Sequence, residues 1–268
     1  MDRWQVQDQV IVIAGASKGI GLACAQTLLQ RGARVALLAR DRGRLDEAVA
    51  GFKSERACGI AADVCDKAAL EQAFAAVKAK WGRIDGLVNN VGFQFARRLE
   101  VMPEPEVRKL LELNFLGPVF ACQCVIPHLR AAGGGRIVNV SSASVRNDNE
   151  FSHLGLYSSA KAALEHFSRE LRHELKADRI MVTVFSPGAV ATGSVANFDP
   201  AALGEAMQDW LTKGPRFDGA AQPETIGAAI AGCFEFPPGV AVEFMEVRPN
   251  IPTPKMLESD WKQEQAGS

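Results

Sequence analysis

Short apolar runs alternate along this chain with longer segments of helical period, and no other feature limits the fold so tightly. VIVIAG is followed by a helix-period stretch at residues 20–30, RVALLA by one at 45–52, and CGIAADV by one at 67–80. RIDGLVNN, GRIVNVSS and RIMVTVFSPG continue the series, with helical segments at about 104–129 and 157–176 between them. Such alternation specifies parallel strands joined by crossover helices. VIVIAG, VALLA and IVNV lack in-out alternation, as strands covered on both faces do, so helices must lie on both sides of the sheet. The expected class is α/β: a doubly wound sheet of six or seven mainly parallel strands, with VAVEFMEV at 240–247 as the last. No proline-rich or low-complexity linker divides the chain, so residues 1–268 read as one domain. Residues 191–223 mix small, polar and helix-forming side chains after a strand end and suggest a lid, and a polar tail begins at about residue 252.

Charge and cysteine usage then exclude several function classes. The 30 basic and 31 acidic side chains nearly cancel, which leaves no overall field to hold nucleic acid or an anionic membrane. Cys24, Cys58, Cys65, Cys122, Cys124 and Cys233 lack the paired spacings of a zinc site or a disulfide framework, and read as reduced thiols. The first residues carry no basic leader or small-residue cleavage site. The longest uncharged stretch, 180–198, includes Pro187, Gly188, Thr192 and Asn197 and is too polar to span a bilayer. A cytoplasmic protein without a membrane or nucleic-acid partner is expected.

Chemistry enters with Gly15-Ala16-Ser17-Lys18-Gly19-Ile20-Gly21, which follows the first strand and opens a helix. Glycines let the backbone turn tightly and approach a ligand, while free N–H groups at a helix start attract an anion. The bland use of such a triplet is close strand-helix packing; the strand-loop-helix setting favours a dinucleotide, although the spacing is not GxGxxG.

Gly15, Gly19 and Gly21 resemble the TGxxxGxG loop of the short-chain dehydrogenases/reductases, with Ala14 where that family usually has threonine. Asn89-Asn90-Val91-Gly92 is similar to the family's NNAG, Asn114 lies where its active-site asparagine is expected, and Tyr157-Ser158-Ser159-Ala160-Lys161 resembles its YxxxK. Pro187-Gly188-Ala189-Val190-Ala191-Thr192 is similar to its PGxVxT segment. The resemblance covers about residues 10–247 and implies a single-domain Rossmann fold. It also implies a cofactor held by Gly15, Ser17, Lys18, Gly19, Ile20, Gly21, Asn90, Gly92, Tyr157, Lys161, Pro187, Gly188, Val190 and Thr192. By the same resemblance Asp63 and Val64 contact the adenine, through the carboxylate and the backbone N–H respectively; the alternative for Asp63 is to cap the helix starting near Lys67.

A dinucleotide site selecting NAD usually ends its second strand in a carboxylate that accepts the ribose hydroxyls. Here Ala39 stands there, Arg40 follows, and Lys18 in the glycine loop can add a second positive charge. These charges favour NADP(H) over NAD(H), with Asp41 next door as the opposing residue.

Tyr157 is the single tyrosine of the chain. A phenol of pKa about 10 needs a nearby cation before it can act as a base, and Lys161, four residues on along a helix, shares its face. On that helix Leu164, Phe167 and Leu171 are spaced to reach the core, whereas Glu165, Arg169, Arg172 and Glu174 suit solvent or a subunit interface. His166 and His173 lack a third ligand, so no metal is expected. The strand at 137–140 ends in Ser141-Ser142-Ala143-Ser144, and strand carboxyl ends are where an open α/β sheet binds ligands. Motif order matches Ser142 to the family's catalytic serine; its separation from Tyr157 is longer than usual, and Ser144 is the alternative. The extra length, 145–156 with Asn147–Glu150, Phe151 and His153, is expected to line one side of the substrate pocket. Asn114, by resemblance, holds a water linking Lys161 to solvent, or else ties two helices.

Together these readings imply an NADP(H)-dependent enzyme that interconverts a small-molecule ketone and a secondary alcohol. Asn114, Ser142, Tyr157 and Lys161 form its catalytic set, Tyr157 being the acid or base, and the family implies a homodimer or homotetramer. The competing readings are a cofactor-binding sensor or assembly subunit without turnover, and an enoyl reductase or dehydratase.

Overall fold

The computed structural model describes residues 5–146, 152–193, 198–212 and 219–250. Its sheet has seven strands: β1 (Val10–Ala14), β2 (Arg34–Ala39), β3 (Ala57–Ala61), β4 (Gly86–Asn89), β5 (Gly135–Val140), β6 (Ile180–Pro187) and β7 (Phe244–Val247). They lie in the order β3-β2-β1-β4-β5-β6-β7, and every described pairing is parallel. Strand order reverses between β1 and β4, so the ends of those two strands diverge into a crevice.

Helices α1 (Gly19–Gln30), α2 (Arg42–Phe52) and α8 (Pro223–Gly232) serve one core, and α3 (Lys67–Trp81), α5 (Gly117–Ala131) and α6 (Gly155–Glu174) the other. β1 shows why a continuous apolar run was needed. Val10, Val12 and Ala14 pack with Phe74 of α3 and Val125 of α5, while Ile11 and Ile13 pack with Leu28 of α1 and Ile230 of α8. Each such fully buried Ile, Leu or Phe contributes roughly 1.5–3 kcal/mol of hydrophobic stabilisation. α4 (Glu104–Leu111) runs into α5 through a π turn at Glu112–Leu116, and α7 (Pro200–Thr212) lies in the 191–223 excursion. Part of the Glu104–Ala131 run is long and apolar enough for a membrane span by length and composition, but half of that window is buried inside the protein.

Several boundaries depart from expectation. The last strand is confined to Phe244–Val247. Gly239 turns in the left-handed region, and the buried Arg136 guanidinium binds the carbonyls of Phe236, Pro237 and Val240, which diverts them from a strand ladder. α2 begins three residues before Leu45 because Asp41 caps it, accepting from Arg44 N at 3.1 Å. α3 is capped by Asp66, whose carboxylate accepts from Ala69 N at 3.1 Å, so the capping alternative for Asp63 is overturned. Asp63 instead accepts from Cys65 N at 2.9 Å within its own turn. α6 starts at Gly155, two residues before Tyr157.

Candidate active site

The β1–α1 connection is shaped to receive an anion. Gly15 turns at φ +77° and Gly19 at φ +56°. Gly21 faces the Gly15 carbonyl and Asn90 Nδ2 so closely that a side chain there would displace one of them. Asn90 Nδ2 donates to that same carbonyl at 2.9 Å and ties the loop after β4 to the glycine loop. Lys18 is the N-cap of α1 and supplies no side-chain cap, so the first N–H groups of the helix stay available to a ligand. Thr192 packs its side chain against Gly19, and the segment after β6 is pinned by the Val190–Ala221 bridge and by Gly188 N donating to Val247 O at 2.9 Å. The loop at Gly15–Gly21 and the Pro187–Thr192 segment therefore meet at one end of the sheet.

Beside the glycine loop and at the end of β2, Lys18 and Arg40 are exposed, and Arg40 Nη1 lies 3.9 Å from Asp63 Oδ2. Asp41 is spent on capping α2 and on Arg44, 3.3 Å away. A surface groove of about 540 Å³ between α1 and α2 is lined by Ser17, Lys18 and Arg44. Val64 is buried, its side chain against Gly117 at the start of α5. The glycine cradle, the uncapped helix start and the cations beside it fit a phosphate-bearing dinucleotide.

The second half of the site sits where β5 ends and α6 begins. Ser142 caps the short turn Ala143–Val145; its Oγ accepts from Ser144 N at 3.2 Å and from Ser144 Oγ at 3.0 Å. Ser158 Oγ, on the first turn of α6, donates to Ser144 O at 2.7 Å. Tyr157 is partly buried, and the Ser142 hydroxyl lies close enough to act on its phenol. Of the two serines, Ser142 is the one whose hydroxyl influences the phenol, and Ser144 donates to Ser142. Lys161 is 2% exposed, and its Nζ donates to Val140 O at 2.9 Å.

Burial pushes the Tyr157 phenol above its ordinary range, while the Ser142 hydrogen bond pulls it back. Burial also lowers Lys161 from 10.5 to about 8. The influence that opposes burial at the phenol is the Ser142 hydroxyl, while Lys161 Nζ is hydrogen-bonded to the end of β5.

Asn114 occupies the π turn and is fully buried. Its Oδ1 accepts from Phe93 N at 3.1 Å, and its Nδ2 donates to Phe93 O at 2.6 Å and to Leu110 O at 2.9 Å. Both amide donors are engaged in protein bonds, so this side chain fastens the loop after β4 to the helix. Gly92, in that loop, would carry a Cβ 3.4 Å from Asn114 Oδ1 and 3.5 Å from Lys161 Nζ, which places all three residues together.

An apolar wall completes the site. Phe93 and Phe95 meet edge to face at 4.7 Å, and Ala96, Leu154, Phe198, Ala206 and Trp210 form a cluster that docks α7 over the residues preceding Tyr157. Trp210 Nε1 donates to Ser152 O at 2.8 Å. His153 faces α7, 3.8 Å from Glu205, rather than standing alone in a pocket wall. Residues 147–151, expected to line the substrate, and 194–197 and 213–218 of the excursion lie outside the described residues, as does the tail from 251.

Glu165, expected on the solvent face of α6, is 3% exposed and belongs to the site's surroundings. Its carboxylate accepts from Ser141 Oγ at 2.7 Å and pairs with Arg146 Nη2 at 2.7 Å. A signal existed: positions 157, 161 and 165 form one stripe at helical spacing, so a carboxylate there shares the face of the reacting pair.

A doubly wound parallel sheet with a glycine cradle at its switch point, a serine at the end of β5, and a tyrosine and lysine on the following helix α6, defines a dinucleotide-dependent oxidoreductase. Residues 9–202 match the short chain dehydrogenase family, and the chain belongs to that family. It is 32% identical over 230 residues to an uncharacterized oxidoreductase of Methylorubrum extorquens, covering 85% of this chain and 90% of that protein. It is also 32% identical over 192 residues to a 3-ketodihydrosphingosine reductase of Bacteroides thetaiotaomicron, covering 72% and 68% respectively. Among solved structures it is similar to an alcohol dehydrogenase of the archaeon Thermococcus sibiricus complexed with 5-hydroxy-NADP. That likeness has 27% identity and a TM-score of 0.76, over 93% of this chain and 100% of the other.

Proposed function

We propose that this protein is a cytoplasmic NADP(H)-dependent reductase that interconverts an apolar ketone and its secondary alcohol. The meeting of Ser142, at the turn after β5, with Tyr157 and the buried Lys161 of α6 carries the reading, because it brings a proton donor and an oxygen-orienting hydroxyl together at the strand ends. Gly15, Ser17, Lys18, Gly19, Ile20, Gly21, Asn90, Gly92, Pro187, Gly188, Val190 and Thr192 would hold the cofactor, with Asp63 and Val64 at its adenine. Lys18 and Arg40 would meet its 2′-phosphate, Arg40 exchanging the long contact to Asp63 for a charge-assisted bond. When bound, NADPH supplies the hydride that reaches the carbonyl carbon.

The chain's own residues manage the oxygen. Ser142 donates a hydrogen bond to the carbonyl oxygen, Tyr157 Oη delivers the proton, and in the reverse direction the phenolate takes it back. Lys161 steadies the end of β5 and, by resemblance, reaches the nicotinamide ribose. Asn114 holds the Phe93 backbone, and with it the wall the substrate rests on. Phe93, Phe95, Leu154 and Phe198 favour an aromatic, alicyclic or fatty ketone, and α7 acts as the lid. The relative named for ketone reduction and the neighbour bound to an NADP derivative support this reading.

A panel of such ketones, scored by loss of reduced-nicotinamide absorbance with NADPH and with NADH, tests it. NADPH-linked turnover of an apolar ketone is expected. Cofactor binding with no turnover across the panel, in either direction, would leave a binding protein in its place.

A further inference from the structure

The covalent path from Ser142 to Tyr157 is long, and the structure offers a second path through one carboxylate. Glu165 lies four residues beyond Lys161 and eight beyond Tyr157 on α6, so a single rigid helix carries all three. Its two oxygens reach opposite sides of the serine turn. Oε1 accepts from Ser141 Oγ at 2.7 Å, immediately before Ser142, and Oε2 pairs at 2.7 Å with Arg146 Nη2, immediately after the turn. The turn is closed between those grips by Val145 N to Ser142 O at 3.1 Å and Arg146 N to Ala143 O at 3.2 Å. Arg146 is itself steadied, its guanidinium carbon lying 3.7 Å from the ring centroid of Phe244 on β7.

We infer that Glu165 is a positioning residue that clamps the Ser142 turn to α6 and thereby sets where the Ser142 hydroxyl stands relative to Tyr157. A buried carboxylate costs stability unless its charge and lone pairs are matched, and both oxygens here are matched by groups of the same turn. The chemistry explains why the residue must be an acid: a neutral side chain could accept from Ser141 but would leave Arg146 without a charge partner. The inference rests on the proposed role of Ser142 and Tyr157, yet it can be read without turnover. Tyr157 is the only tyrosine, so the ultraviolet absorbance of its phenolate reports this one group. Lys161 is present in every variant compared, and its charge therefore cancels.

The experiment titrates Tyr157 in the wild type, Glu165→Gln, Ser141→Ala, Ser142→Ala and the double variant Glu165→Gln/Ser142→Ala, with circular dichroism as the check of folding. Loss of a hydrogen bond to the phenolate corresponds to a rise of about half a unit to one unit in its pKa. Glu165→Gln and Ser142→Ala are each expected to produce that rise, and the double variant no further one, since one acts through the other. Ser141→Ala, which keeps the Arg146 pair, should move the titration the same way by less, and it decides the matter if Glu165→Gln fails to fold. Where ketone turnover is present, the Glu165 variant should lower kcat about tenfold to a hundredfold with the KM for NADPH unchanged. A Tyr157 titration that shifts in Ser142→Ala but not in the folded Glu165 or Ser141 variants overturns the clamp. Absence of ketone turnover in the wild type with the expected titration shifts would instead remove the proposed function and leave the clamp standing.

Discussion

The two ends of the site are built from different electrostatics. At the β5–α6 end the functional groups are buried and interlocked: Lys161 is 2% exposed, and Asn114 and Glu165 are bonded on every side that matters. At the end of β2 the charges stand in water, with the Arg40 side chain 63% exposed and 3.9 Å from the Asp63 carboxylate. Charges in water are screened and individually worth about 0–1 kcal/mol, whereas desolvated groups shift their pKa and move whole units of rate and stability. Under the proposed function, binding and selectivity would thus sit on adjustable surface charge, and proton chemistry on a rigid buried frame.

The largest effects should come from the buried end. Lys161→Met is expected to lower turnover by about 10²- to 10⁴-fold, read as kcat under saturating cofactor. The same variant isolates a pH signature. Because burial holds Lys161 at about 8 against 10.5 in the unfolded chain, the unfolded state binds more protons between those values. Stability from this group therefore rises with pH across that window, by roughly 3 kcal/mol, and is lost on going back below pH 8. Denaturant melts of wild type and Lys161→Met should diverge across pH 8 to 10.5, the variant lacking the rise; parallel curves would place the ammonium in water.

Asn114→Ala should come next. It leaves the Phe93 N–H and carbonyl and the Leu110 carbonyl without their partner, at a cost of about 1–3 kcal/mol visible as a lowered Tm, together with reduced turnover. At the exposed end Arg40→Ala should weaken NADPH about tenfold and leave NADH nearly unchanged. Titrations at rising ionic strength should narrow the wild-type preference, because the contact is solvated. Smallest for function is Asp66→Ala, which removes the cap of α3 at about 1 kcal/mol of stability and should leave both kcat and cofactor KM as they were.

The same contrast governs how much of the molecule could be read from its residues. Strands buried on both faces announce themselves as unbroken apolar runs, and the glycine loop needs its glycines within seven residues, so β1–β6 and the cradle are local in sequence. The start of β7 is not local in sequence: Val240, at the head of the expected strand, gives its carbonyl to Arg136, about a hundred residues earlier. Asp63 and Asp66 look alike as caps, and only the backbone of the turn selects Asp66. α7 had a local signature, Asp199 before Pro200, with the carboxylate accepting from Ala202 N at 2.9 Å. Glu165 is the instructive case: helical spacing puts it on the reacting stripe, yet a carboxylate reads as a surface residue until Ser141 and Arg146 arrive from another element.

The account turns on a single proton. Tyr157→Phe, loaded with saturating NADPH and mixed with a ketone that the wild type reduces, should retain cofactor affinity and lose at least about 10²-fold in the single-turnover rate of nicotinamide oxidation. A phenylalanine variant that binds NADPH and oxidises it at close to the wild-type rate would contradict the account.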